Sequence, residues 1–227
     1  MTAIDLWLID TRQPAVPAAE LWPLLDPDER ARAARMDPGA GERFTVVRGT
    51  VRRLVAARLG VPPAALVWRY GPHGKPEPEP AAAGGLRVSW SASGAFAALA
   101  LAEGRAVGVD VERLHDPRTA ERMAARWFPS EEARFVAEPV EPAERAARFT
   151  TLWCRREACV KAYGGRLARS FGVPVGGPSP VLVADPGGLG TGPSRLCDVP
   201  VAEPFRAAVA ALGESPIHVN CRVWKEN

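Results

Sequence analysis

The sequence predicts an α+β protein built from two similar α/β halves, related by a pseudo-twofold axis, with a site in the cleft between them. Its 227 residues suit one large domain or two small fused ones. Strand and helix patterns alternate along the whole chain. The segment Arg43–Thr45 recurs 105 residues later as Arg148–Thr150, and the apolar stretches beginning at Phe96 and Phe205 lie 109 residues apart. We therefore expect halves at residues 1–106 and 107–227; the alternative is a chance likeness within an Ala- and Arg-rich chain.

Capping residues and apolar spacing place the elements of the first half. Asp26 is a typical N-cap, and Pro27 after it suits the first position of a helix that runs to about Met36. A longer helix is expected from near Gly41 to Leu59, where Gly60 stops it. The other expected elements are strands at Ile4–Ile9, Leu66–Tyr70, Leu86–Ser91, Ala95–Ala102 and Ala106–Glu112, with loops at Gly71–Pro76 and Pro78–Gly85.

The second half is expected to carry three helices and two closing strands. Ser130 is a good N-cap for the middle helix, and Gly164-Gly165 closes the long one. The expected helices are Arg118–Trp127, Ser130 to about Val136, and Pro142–Tyr163; a Gly/Pro-rich loop follows at Gly172–Pro193, and strands at Phe205–Leu212 and Ile217–Trp224.

Composition excludes several classes of function. The chain is 47% hydrophobic and 24% charged, as in ordinary globular proteins. Its net charge of +3 is too small to indicate a basic surface that binds nucleic acid. The longest apolar block, Ala95–Ala102, is far below the roughly 20 residues that cross a bilayer, and the start of the chain lacks a signal-peptide pattern. The four cysteines form no CxxC, which argues against zinc, and we expect them to pack as small apolar side chains. We predict a cytoplasmic protein without nucleic-acid or membrane partners.

Two acidic residues on one predicted strand are the first candidate for chemistry. In Gly108–Glu112, Asp110 and Glu112 share a strand face while Val109 and Val111 point to the core. Neighbouring carboxylates repel, burial would raise their pKa values, and a divalent cation relieves the repulsion. Carboxylates together with phosphates are the usual ligands of Mg²⁺. A solvated edge-strand face is the alternative.

A stripe on the long second helix is the second candidate. Trp153, Glu157 and Lys161 lie four residues apart and share one helix face. A surface Glu–Lys pair beside a half-buried tryptophan explains this equally simply. However, only three of the 29 basic residues are lysines, so a lysine here suggests a role as a compact charge or proton donor. Lys75, in a glycine-flanked loop, is another of the three.

The arginines of the first long helix are weaker candidates for a functional site. Arg43 and Arg52 are nine residues apart and do not share a face cleanly, so they are not expected to act together. Arg43 lies near the helix start and is the better candidate for binding a phosphate.

The ordered motifs resemble those of the 4′-phosphopantetheinyl transferases. The length and the near-repeat point to the monomeric, surfactin-synthetase-activating (Sfp) type, and the resemblance spans Arg30 to about Leu167. The motifs that carry it are Arg43-Phe44 with Arg48 and Arg52, Gly74-Lys75-Pro76, Ser89-Trp90-Ser91, Gly108–Glu112, Phe128 with Glu132, and Trp153 with Arg156-Glu157-Ala158 and Lys161.

The resemblance implies a reaction and a role for each motif. The 4′-phosphopantetheine arm of coenzyme A (CoA) would pass to a serine of an apo acyl or peptidyl carrier protein, releasing adenosine 3′,5′-bisphosphate. By the family pattern, Asp110, Glu112 and Glu157 would hold Mg²⁺, Glu157 would act as general base directly or through water, and Lys161 would stabilise or protonate the leaving oxygen. The residues implied in CoA binding are Arg43, Arg48, Lys75, Ser89, Trp90 and Lys161, with Arg43 and Lys75 on the 3′-phosphate.

Three departures from the family pattern leave alternatives open. Trp90 stands where the family usually has His, and Trp offers one indole N–H and no charge. Arg156 replaces the usual Lys, and the glycines after Lys161 are slightly shifted. A non-catalytic relative that binds CoA or a carrier protein is therefore one alternative, and a metal-dependent phosphohydrolase is another.

The segment between the two acidic motifs resembles the carrier-binding region of the family. Arg118, Arg122 and Arg126 lie at helical spacing on one face, which would suit an acidic carrier helix. A solvated basic face explains them equally well. Trp127 and Phe128 are either part of this surface or part of the core.

Overall fold

A computed structural model describes residues 2–79 and 85–225. The first half contains strands β1 to β5 and helices α1 to α3. The strands are β1 (Thr2–Asp10), β2 (Val67–Tyr70), β3 (Pro76–Glu79), β4 (Leu86–Ser93) and β5 (Phe96–Glu103), and the helices are α1 (Ala18–Leu21), α2 (Pro27–Ala34) and α3 (Pro38–Leu59).

The second half contains strands β6 to β10 and helices α4 to α6. The strands are β6 (Val107–Arg113), β7 (Val181–Val183), β8 (Ser194–Val199), β9 (Phe205–Leu212) and β10 (Ile217–Val223), and the helices are α4 (Pro117–Trp127), α5 (Ser130–Ala137) and α6 (Pro142–Tyr163). None of the helices in the described ranges has the length and apolar character needed to span a bilayer.

The two halves share one topology. In each, a first strand is followed by three helices and, later in the chain, by an antiparallel pair of strands, which gives the orders β1-β5-β4 and β6-β9-β8. The halves differ in the strands before that pair, because β2 and β3 form a separate two-stranded sheet and β7 pairs with β8. The predicted α+β class is confirmed, and the common order agrees with two similar halves. The last strand, β10, pairs in parallel with β1 and so joins the first sheet. The division at residues 106 and 107 stays a prediction.

Apolar side chains hold these elements in four layers. The two sheets face each other across a core that includes Leu6, Phe96, Val109 and Val209. A second core lies between the first sheet and α3, and a third lies between the second sheet and α6. The order of layers is therefore helix, sheet, sheet, helix, and the junction between the sheets is close to the middle of the molecule.

Some of the expected local structure is wrong. The loop expected at Pro78–Gly85 begins inside strand β3, and its residues 80–84 lie outside the described part of the chain. Strand β7 lies inside the loop expected at Gly172–Pro193, and β8 was not expected at all. Both strands are short and depend on pairing with a neighbouring strand, which the pattern of their own few residues does not reveal. Ser130 is the first helical residue of α5 rather than its cap, and its N-cap position is Pro129.

A buried ion pair is repeated in the two halves. Glu29 is the third residue of α2 and pairs with Arg48 and Arg52 of α3. Glu132 is the third residue of α5 and pairs with Arg156 of α6. In each half, a glutamate at the third position of a short helix thus pairs with an arginine of the following long helix. This common position supports the internal symmetry.

The ion pair of the second half should contribute strongly to stability. Arg156 is fully buried, and Glu132 also accepts hydrogen bonds from the backbone N–H groups of Val175 and Gly176, at 2.7 and 2.8 Å. Arg156→Ala would leave a buried carboxylate without its cation, so we expect a loss of about 3 kcal/mol, seen as a lower midpoint in thermal unfolding. Arg122→Ala, on an exposed side chain, is the control. Equal midpoints for the two variants would contradict the assigned role.

Candidate functional site

The candidate site lies where the edge strands of the two sheets meet. Strand β4 is the edge of the first sheet and β6 is the edge of the second, and α6 packs across β6. Gly108 permits this close packing, because a Cβ there would lie 2.0 Å from the Ala158 carbonyl oxygen and 2.4 Å from the Ala162 nitrogen. Asp110 and Glu112, on the same strand face as Gly108, are consequently held beside Glu157 and Lys161 of the helix.

Asp110 is the most buried acid of this junction. Only 1% of the residue is exposed, and its Oδ1 accepts hydrogen bonds from Lys161 Nζ at 2.6 Å and from Ser91 Oγ at 2.7 Å. Its Oδ2 is buried and has no hydrogen-bond partner among the described residues. A buried carboxylate oxygen without a partner is costly unless a ligand or cation binds it.

The other two predicted carboxylates interact with Asp110 electrostatically. Burial raises the pKa of Glu157, and the negative charges of Asp110 and Glu112 raise it further, while Lys161 opposes them. Burial also raises the pKa of Glu112, against a hydrogen bond that Ser93 Oγ donates to its Oε2 at 2.6 Å. Asp110, Glu112 and Glu157 therefore form one acidic centre, with Lys161 as its cation.

The donor chemistry of this centre fits a hard divalent cation. Carboxylate oxygens are the ligands that Mg²⁺ prefers, and the unpartnered Oδ2 of Asp110 supplies one. Within residues 2–79 and 85–225, no three acidic, His or Cys side chains are grouped tightly enough to hold a metal ion as they stand. One oxygen of Asp110 is instead bound by Lys161. The assignment of these residues as ligands stays a prediction.

A cavity of about 720 Å³ adjoins the acidic centre. It lies on the first-half side of the junction, and both Lys161 and Ser91 reach it. All six side chains predicted to bind CoA line it: Arg43, Arg48, Lys75, Ser89, Trp90 and Lys161. The fold thus places residues that are up to 118 positions apart in the sequence around one cavity.

The cations of the cavity differ in how far they are already compensated. Arg43 is exposed and has no hydrogen bond or ion pair with a described residue. Arg48 is buried, pairs with Glu29, and stacks on Trp90 with 4.2 Å between its Cζ and the ring centroid. Lys75 Nζ donates to the carbonyl oxygens of Val107 at 3.0 Å and Ala162 at 3.2 Å, and burial lowers its pKa to about 8. Of the three, Arg43 has its charge most available for a ligand.

Comparisons with known proteins identify the family of the chain. Residues 106–175, which include the acidic centre, match the family model of the 4′-phosphopantetheinyl transferase superfamily. The chain is similar to the 4′-phosphopantetheinyl transferase HetI of Nostoc sp. (strain PCC 7120), with 31% identity over 92% of this chain and 88% of that protein. The chain belongs to the 4′-phosphopantetheinyl transferase superfamily. A protein of Synechocystis sp. (strain PCC 6803), provisionally named a 4′-phosphopantetheinyl transferase, is also 31% identical, over 70% of this chain and 64% of its own length.

Three motif residues of this phosphopantetheinyl transferase, Phe128, Glu132 and Arg156, lie away from the acidic centre. Phe128 is buried against Phe149, and the Arg156 guanidinium stacks on its ring at 3.8 Å. Arg156 and Glu132 are buried partners of each other, so the change from the usual Lys to Arg keeps a structural ion pair. Trp127, in contrast, is 41% exposed and stacks on Phe171. Arg118, Arg122 and Arg126 are all exposed on α4.

Sequence reasoning missed several residues of the transferase site. Ser93 was not singled out, although it alternates with Ser89 and Ser91 along one face of β4 and so could have been found from its spacing. Arg32 and His73 also line the cavity, and Arg32 stacks on Phe44. Their positions depend on how α2 and the loop before β3 pack, for which the sequence carries no clear signal.

The cysteines depart in part from the expected packing. Cys154 and Cys159 are buried, and burial raises the pKa of Cys159 to about 11. Cys197 is half-buried and Cys221 is exposed on β10, so these two do not pack as core residues. The expectation of four buried apolar cysteines holds for the two on α6 alone.

Proposed function

We propose that the protein transfers the 4′-phosphopantetheine arm of CoA to a serine of an apo acyl or peptidyl carrier protein, with release of adenosine 3′,5′-bisphosphate. The observation that carries the proposal is that two residues of the cavity wall, Ser91 and Lys161, are also the hydrogen-bond partners of Asp110. Lys161 lines the cavity and at the same time binds Asp110, so a diphosphate in the cavity would lie beside the three carboxylates.

Each side chain has a role that its surroundings support. The hydroxyl oxygen of the carrier serine forms a bond to the pantetheine-side phosphorus, the bond from that phosphorus to the bridging oxygen breaks, and the bisphosphate leaves. Glu157 takes the hydroxyl proton, directly or through water, because burial raises its pKa and so its basicity. Lys161 holds a positive charge beside the leaving oxygen. About 28% of its side chain is exposed, so a ligand in the cavity can contact it.

Asp110, Glu112 and Glu157 are the residues that would hold Mg²⁺. When bound, the ion would neutralise charge on the diphosphate of CoA. Asp110 would offer Oδ2, its oxygen without a protein partner. Ser91 and Lys161 keep the rest of this carboxylate in place.

The proposal extends to the type of enzyme and its partner. The two-half chain supports the monomeric, Sfp-like type, and we propose a cytoplasmic enzyme. The exposed stripe Arg118, Arg122 and Arg126 on α4 supports an acidic carrier helix as the partner surface. The overall activity is that of a holo-[acyl-carrier-protein] synthase.

A nucleotide-release assay separates this function from its alternatives. The protein is incubated with CoA and Mg²⁺, with and without an apo carrier protein, and adenosine 3′,5′-bisphosphate is quantified by chromatography. A transferase releases it only with the apo carrier, in equal amount to the holo carrier formed. A phosphohydrolase would release nucleotide from CoA alone, and a CoA-binding scaffold would release none.

Arg43 should contribute more to CoA affinity than its neighbours. Arg43→Ala removes an uncompensated cation from the cavity wall, and a charge-assisted hydrogen bond is worth roughly 1.5–3 kcal/mol, so we expect CoA to bind about tenfold more weakly or worse. Isothermal titration calorimetry with CoA measures this. Arg35→Ala, an exposed arginine that does not line the cavity, is the control. Unchanged affinity in Arg43→Ala would place the phosphates elsewhere.

A further inference from the structure

A row of serine hydroxyls on β4 connects the first half to the acidic strand of the second. Ser89, Ser91 and Ser93 alternate along β4 and therefore share one strand face. Ser89 Oγ accepts from the Val109 N–H at 3.1 Å, and Ser93 Oγ accepts from the Arg113 N–H at 3.1 Å. Strands β4 and β6 are edge strands of different sheets and are not paired with each other. These serine hydroxyls therefore accept hydrogen bonds from backbone N–H groups of β6 that a neighbouring strand would otherwise bind.

The same row reaches the two carboxylates of β6. Ser91 Oγ donates to Asp110 Oδ1 at 2.7 Å, and Ser93 Oγ donates to Glu112 Oε2 at 2.6 Å. Each serine therefore binds one oxygen of a carboxylate. The other two oxygens, Asp110 Oδ2 and Glu112 Oε1, have no hydrogen-bond partner among the described residues.

We propose that Ser91 and Ser93 are positioning residues that select which oxygens of Asp110 and Glu112 are presented to a divalent cation. The inference rests on the proposed function and adds two residues to it. A hydrogen bond to one oxygen fixes the rotation of a carboxylate and so fixes the position of the other oxygen. Groups that orient metal ligands in this way commonly change metal affinity or activity by about 10- to 100-fold when removed.

The arrangement also couples the cavity to the acidic centre. Trp90, which lies between Ser89 and Ser91 but on the opposite face of β4, stacks on Arg48, and both line the cavity. A shift of β4 that accommodates a ligand would therefore move the hydroxyls that hold Asp110 and Glu112. The first half binds CoA and, through the serines, orients the carboxylates that the second half supplies.

Ser93 gives the cleaner test, because Ser91 also accepts a hydrogen bond from Lys161 at 2.8 Å. We would titrate the full-length protein with Mn²⁺ and follow the free ion by electron paramagnetic resonance. The variants are Ser93→Ala, Ser93→Thr, which keeps a hydroxyl, and Ser130→Ala as a control on an exposed serine. Thermal unfolding confirms that each variant is folded. The Mg²⁺ concentration that gives half-maximal transfer is measured in parallel.

We expect Ser93→Ala to bind Mn²⁺ about tenfold more weakly, to need correspondingly more Mg²⁺, and to regain most of its kcat at saturating Mg²⁺. Ser93→Thr should lie close to the wild type. If wild type and Ser93→Ala bind Mn²⁺ equally while the wild type transfers the arm, the positioning role is wrong and the proposed function stands. If the wild type neither binds Mn²⁺ nor responds to Mg²⁺, the assignment of the metal site is wrong, and so is the positioning role of the serines.

Discussion

Glu157→Gln should reduce transfer by about 10²- to 10⁴-fold, the range that a positioned general base supplies. Glutamine has nearly the same shape but neither the charge nor the basicity, so the packing of α6 should remain. The measurement is the initial rate of holo-carrier formation at saturating CoA and Mg²⁺. Glu214→Gln, on an exposed glutamate, is the control. A rate for Glu157→Gln within a few-fold of the wild type would remove Glu157 from the chemistry.

The pH profile provides a second readout of the same residue. Burial and the neighbouring carboxylates raise the pKa of Glu157 above its ordinary value of 4.5. A base must be deprotonated to act, so the rate should fall as the pH falls through this raised pKa, and the acid limb should lie above the pH at which an ordinary glutamate titrates. Bound Mg²⁺ favours the ionised form and should move the limb to lower pH. The residual activity of Glu157→Gln should lack this limb.

Gly108→Ala should have the largest effect on stability. The added methyl group would lie 2.0 and 2.4 Å from backbone atoms of α6. Unlike a flexible side chain, these backbone atoms cannot adopt another rotamer to relieve the clash. We expect a loss of more than about 4 kcal/mol, seen as little folded protein and a strongly lowered unfolding midpoint. Gly172→Ala is a matched control, because nothing lies within 4 Å of a Cβ added there. A wild-type midpoint for Gly108→Ala would show that α6 does not pack on β6 as described.

The sequence located the elements whose signals are local. Helix α6 was predicted at its observed bounds because Pro142 opens it and Gly164, with a φ of 64°, closes it. Strand β9 was also predicted at its observed bounds, because its apolar run is bounded by a proline and a glycine. Strand β8 was missed because its six residues depend on pairing with β9.

The same distinction applies to the site. The pairs Asp110/Glu112 and Glu157/Lys161 were found because each has a spacing that identifies a strand or helix face. The partners of the cations could not be found in this way. Arg48 is compensated by Glu29, 19 residues earlier, and Lys75 by the carbonyl oxygens of Val107 and Ala162. Which cation remains available for a phosphate depends on these tertiary contacts.

Trp90 shows how a departure from the family pattern acquires a structural meaning. In the sequence, Trp90 is an uncharged replacement for the usual His that offers one indole N–H and a flat face for stacking. In the fold it packs on Trp68, with 5.1 Å between ring centroids, and covers the Arg48 guanidinium. The indole thus stabilises a cation at the cavity wall in place of carrying one, which no single-residue argument from the sequence provides.

Transfer of the phosphopantetheine arm is tested most directly by intact-mass spectrometry of an apo carrier protein incubated with this protein, CoA and Mg²⁺. We expect a mass gain equal to one phosphopantetheine arm, which is lost when a chelator is added and is absent from a carrier whose acceptor serine is replaced by alanine. No gain with any acyl, aryl or peptidyl carrier, in the presence of folded protein that binds CoA, would contradict transfer and favour a CoA-binding relative without activity.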